Sequence, residues 1–173
     1  TVGTSLIVLA NLESLDGSMI EELPLFVENG GGLLICGGNR MNLSWYNQHW
    51  GLEGSNFLPL PMTGSKGNLQ NEFEFSKIAN AYFEHPALSL FNDPRNGSLS
   101  EARIKKWIQL DESGARNDPG VMVVARLENG DPLLVEKKWG KGVVMFLTTS
   151  IDTDWNNLPA RPSYLPFVQQ IST

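Results

Sequence analysis

Two apolar runs, "SLIVLAN" at residues 5–11 and "GLLICG" at residues 32–37, bracket a stretch with helical spacing. This arrangement constrains the fold more than any other feature of the chain. Both runs are short and lack interior charges, as buried strands do. Between them Ile20, Leu23, Phe26 and Val27 recur on one helical face. Ser14 or Asp16 can cap that helix, with Glu21 and Glu22 in its early turns and Gly30 as its stop. Pro24 should kink it or mark a late start. Strand, helix and strand within about 35 residues make a βαβ unit, so the two strands should be parallel with a right-handed crossover.

Downstream, "MNLSWYNQHWG" suits a short aromatic-rich helix capped by Asn42. "LEGSNFLPLPMTGSKGNLQ" reads as irregular, because Pro59, Pro61, Gly64 and Gly67 interrupt it. "EFEFSKI" alternates like a half-buried strand, and "HPALSLF" suits a helical turn. "ARIKKWIQL" fits either a helix or a strand. The last third is clearer: "VMVVARL", "PLLVEKKW" and "VVMFLTTS" are strands separated by the tight turns "ENGD" and "GKG". "PSYLPFVQQI" closes the chain as a helix entered at Pro162. The pattern predicts an α/β fold: a three-layer α/β/α sandwich, flavodoxin-like, mostly parallel, with an antiparallel C-terminal edge.

Composition narrows the function classes. The 173 residues suit one domain, and 41% hydrophobic with 18% charged content favours folding over disorder. The net charge of −6 and the lack of a basic run argue against nucleic-acid binding. A single cysteine excludes an internal disulfide and any cysteine-based zinc cluster. No apolar stretch approaches the ~20 residues a bilayer span needs, so this segment should not insert in a membrane. Thr1 leads almost at once into a strand, with no signal-peptide pattern, as expected of a domain cut from a longer protein.

The helix ending in "GGGLL" and the strand ending in Gly resemble the class I glutamine amidotransferase-like fold. "NGDPLLVEKKWGKGVVMFLTTSIDTDWNNLPARPSYLPF" is more specific. It resembles the amidotransferase-like domain of large bacterial membrane proteins of the aerotolerance Bat type, which often also carry a von Willebrand A domain. "DESGA" lacks the second serine of that domain's D-x-S-x-S metal motif. The resemblance implies a domain not generally known as an enzyme. It also implies a membrane-anchored parent, with other domains or proteins as partners, on a side of the membrane left open.

Cys36 is the one candidate nucleophile. Amidotransferases hold theirs in a G-x-C-x-G elbow; here the match is Leu34-Ile35-Cys36-Gly37-Gly38, with Leu34 where Gly is expected. The family's base is a His with a Glu two residues on, after a late strand, and no His follows His85. Cys36 therefore reads as a buried small residue, with a cysteine hydrolase or amidotransferase as the alternative. A third reading is a small-ligand or anion site at the strand ends. It would use Gly37, Gly38, Asn39 and Arg40 with Asp152, Asp154 and Trp155. There the plain readings are a turn out of the sheet, an Asx-type loop and a packed Trp. No metal or cofactor is expected.

Overall fold

The structure, a computed structural model, describes residues 5–172. Thr1, on which the expectation of an excised domain rests, lies outside the described residues. A five-stranded sheet forms the centre. It contains β1 (Leu6–Ala10), β2 (Gly32–Cys36), β7 (Val121–Arg126), β8 (Pro132–Trp139) and β9 (Gly142–Leu147), in the order β1-β2-β9-β8-β7. β1, β2 and β9 run parallel, and β8 and β7 add to them antiparallel. The expected βαβ unit is present, with α1 (Gly17–Glu28) between its strands.

Pro24 lies inside α1, not at its start. Proline has no N–H to give the carbonyl four residues back. That carbonyl, on Ile20, instead accepts the Trp50 indole N–H at 3.0 Å. Trp50 belongs to α2 (Leu43–Trp50), whose Asn42 cap accepts the Trp45 amide at 3.1 Å. The backbone bond that Pro24 cannot make thus leaves an acceptor that ties the two helices together.

The three-layer sandwich does not form. One face of the sheet is covered by α1 and α2, through Leu23, Val27, Tyr46 and Trp50 packed on Leu33, Ile35, Val144 and Phe146. Among the described residues the other face has one α-helix, α3 (Tyr164–Ile171), with 3-10 turns and irregular chain beside it. Nor is the sheet mostly parallel, since its four pairings divide equally between parallel and antiparallel. The physical reason lies in the segment before β7. Pro59, Pro61, Gly64 and Gly67 break its first part and Pro86, Pro94 and Gly97 a later one, and the stretches between and after them form turns and short strands. The result is a small mixed α/β fold.

That segment forms two small ribbons instead. β3 (Met62–Gly67) pairs with β6 (Lys106–Leu110), and β4 (Ser76–Lys77) pairs with β5 (Arg103–Ile104). β3 lies where irregular chain was expected, and "EFEFSKI" is strand only at its end. Asn71 takes the Phe73 amide on its side chain and the Glu74 amide on its carbonyl, which turns the chain before the alternation can pair.

Candidate functional site

The strand ends bring the two predicted clusters together. Asn39 Oδ1 accepts the Trp155 indole N–H at 3.0 Å and the Lys106 ammonium at 3.3 Å. Lys106 also lies over the Trp155 ring, 5.1 Å from its centroid. Trp155 is 2% exposed, and its carbonyl accepts the amides of Lys105 and Lys106. It is a packing residue that locks the loop after β9 onto β6.

The backbone of the "GGNR" turn is also engaged. The Gly37 amide donates to Leu147 and Thr149 carbonyls, and the Arg40 amide to Asn11 Oδ1 at 2.8 Å. A Cβ on Gly37 would strike the Thr148 carbonyl, and one on Gly38 would strike the Asn11 side chain. The glycines therefore serve close packing of three chain segments. Arg40 is exposed, as are Asp152 and Asp154. Asp152 accepts the Asp154 amide at 2.9 Å, an Asx turn. Asp154 borders an open cleft of about 410 Å³ whose Arg103 and Lys105 are offset by Glu72 and Asp154 itself. Among the described residues no group of three or more His, Cys, Asp or Glu gathers to hold a metal ion.

Cys36 ends β2 without the left-handed backbone of a nucleophile elbow; the non-glycine residues with positive φ are Asn11 and Asn56. The side chain is 1% exposed within the apolar cluster of Leu34, Leu147 and Phe167. Burial pushes its thiol up to about 12, with the Asp152 carboxylate adding to the rise. His49 stacks on Trp45 at 4.6 Å in α2, which covers the opposite face of the sheet.

His85 opens the expected turn, accepting the amides of Leu88 and Ser89 on its carbonyl. Its ring does something the sequence reading missed. The Ala87 amide donates to Nδ1 at 3.1 Å, so Nε2 carries the proton and donates to Glu136 Oε2 at 2.6 Å. Glu136 is 8% exposed in the middle of β8. The pair walls a cavity of about 460 Å³ with Gly31, Lys141 and Gln170. This cavity opens at the start of β2 and β9, and four strand rises, roughly 13 Å, separate that end of β2 from Cys36. The available sign was the alternation of β8: Leu134 and Glu136 share a face, which places a carboxylate in the core.

No protein-family profile matches the chain, and no curated relative does either. Among solved structures, it resembles two cytoplasmic proteins of Salmonella typhimurium, STM3548 (TM-score 0.70) and STM1381 (TM-score 0.66). Each is 19% identical, and the match covers 96% of this chain and 69% or 68% of theirs. It also resembles part of a β-galactosidase from Rahnella sp. R3. That match has a TM-score of 0.60 at 15% identity, over 96% of this chain and 22% of the enzyme. None of the three is described as a glutamine amidotransferase or a Bat-type protein. No helix among the described residues is long and apolar enough to cross a membrane. At these identities the likeness shows a shared fold, and that fold is what the chain has in common with them.

Proposed function

We propose that the chain serves as a non-catalytic interaction or structural module of a larger protein. One observation carries this reading: the only thiol is sealed in apolar packing with no imidazole to activate it. A nucleophile needs access and a base. Cys36 has neither, since His85 spends both ring nitrogens on Ala87 and Glu136. The small-ligand reading at the strand ends is weakened because Asn39, Trp155 and the Gly37 and Arg40 amides are bonded within the chain. Service within a larger protein agrees with the β-galactosidase match, where the fold occupies about a fifth of a longer chain. A membrane anchor on that larger protein rests on the Bat-type resemblance alone, and fractionation of the full-length protein tests it.

Thiol labelling with an aromatic disulfide reagent tests the central claim. Cys36 should react only as fast as the chain unfolds. Rapid labelling of the folded protein, absent in Cys36→Ser, would return the reactive-cysteine reading.

A further inference from the structure

The cavity beside His85 holds a carboxylate whose charge nothing among the described residues matches. Glu136 is 8% exposed, on the face of the sheet that carries α3. Its Oε2 accepts the His85 Nε2–H at 2.6 Å. That imidazole already accepts the Ala87 amide on Nδ1, so it supplies Glu136 with a hydrogen bond and no charge. Among the described residues no Lys or Arg forms an ion pair with Glu136. Oε1 accepts no bond from them either. Nor is it sealed: the buried side-chain atoms without a partner are Arg161 Nε and Ser163 Oγ. Oε1 is therefore open to the cavity of about 460 Å³ that Glu136 lines.

We propose that this cavity binds a small organic cation: a primary ammonium or guanidinium group on an apolar body. A charge held out of water is costly until it is both paired and hydrogen-bonded, and here one carboxylate oxygen lacks both. The rest of the wall selects the same chemistry. Leu6, Pro86, Val143, Met145 and Ile171 offer an apolar surface to the body of the ligand. The amides of Gly30, Gly31 and Gly32 are spent on the Val27, Phe26 and Ser5 carbonyls, so they form no nest for an anion. α3 brings its C-terminal end, Gln170 to Ser172, and a helix favours positive charge there. Lys141 is exposed, on the turn between β8 and β9. A metal ion does not suit the site, since no three His, Cys, Asp or Glu side chains gather among the described residues. The volume is that of a small-molecule site. This inference goes beyond the module reading and does not rest on it.

Benzylamine titrated into the isotope-labelled 173-residue chain, followed by NMR, tests this. The amides of Gly31, Ala87 and Met145 should shift saturably, with a Kd of about 1 mM, the strength of a fragment-sized ligand. Benzyl alcohol and benzoate carry the same ring without the positive charge and should bind at least about tenfold more weakly. Glu136→Gln keeps an oxygen for His85 but no charge, so it should weaken benzylamine at least about tenfold. Glu53→Gln removes an equal charge at an exposed site and should change nothing. Failure to saturate by about 10 mM benzylamine overturns the proposal. So does equal binding of benzoate or benzyl alcohol, undiminished binding by folded Glu136→Gln, or an equal loss in Glu53→Gln. The comparison of three ligands uses the wild type, so it decides the matter even if Glu136→Gln does not fold. None of these outcomes bears on Cys36, whose labelling tests the module reading separately.

Discussion

At the β7 edge of the sheet the ladder shifts register after Val123 and again after Ala125. The chain from Lys77 to Ala79 is laid along it: Ile78 bridges Leu127, the Ala79 amide donates to Arg126, and the Glu128 amide donates to Lys77. Further on, His85 fastens the same strap to Glu136 in β8. At the β1 edge five apolar residues run in even register, and among the described residues no strand pairs with them except β2. One edge is closed to further pairing by bulges and a bonded strap; along the other no strand or strap pairs among the described residues. Protection of a sheet edge is a local construction, and this chain built it on one side only.

The comparison breaks most readily at Ile78. Ile78 is fully buried, so Ile78→Ala should cost about 3 kcal/mol in urea unfolding, whereas Val8→Ala at the open edge should cost under about 1 kcal/mol. Equal costs would mean that the two edges are held alike. His85→Ala should cost about 2 kcal/mol, because it strands the Glu136 carboxylate on the core side of β8. Pairing it with Glu136→Leu should recover part of that loss.

Cys36 sharpens the comparison from one strand inside the bare edge. Its thiol ionises near 9.0 when unfolded and near 12 when folded, so folding favours the neutral form. That contribution is complete below pH 9 and is lost as pH rises from 9 toward 12. The wild type should therefore lose about 1.4 kcal/mol more than Cys36→Ala between pH 8 and pH 10. The smallest effect belongs to the Arg126–Glu112 pair on the covered edge, at 2.7 Å but largely solvated. Glu112→Ala should cost under about 0.5 kcal/mol, which would assign the protection to bulges and strap and not to charge.

What the sequence made legible was local. The βαβ unit, the Asn42 cap and the two hairpins of β7, β8 and β9 are each written in contiguous periodicity and turn residues. What it hid was settled by distant partners. β3, "MTGSKG", has no apolar alternation and is a strand only because β6 pairs with it. "EFEFSKI" has the alternation, yet the Asn71 turn captures its backbone and leaves Phe73 90% exposed. The same holds at the strand ends. Spacing placed Cys36 and "GGNR" beside the loop after β9, but could not tell that Asn39 and Trp155 would bond to each other. His85 and Glu136 lie 51 residues apart, and nothing near either one names the other.

The proline inside α1 has a consequence for anyone who would stabilise this protein. Replacing a mid-helix proline with alanine is ordinarily a safe improvement, since it restores a missing backbone bond. In Pro24→Ala the restored amide would share the Ile20 carbonyl with the Trp50 indole, since a carbonyl oxygen offers two lone pairs. Positions 24 and 50 therefore meet at one acceptor, and a redesign at Pro24 has to leave the Ile20 carbonyl turned far enough toward α2 for the Trp50 indole to keep its bond.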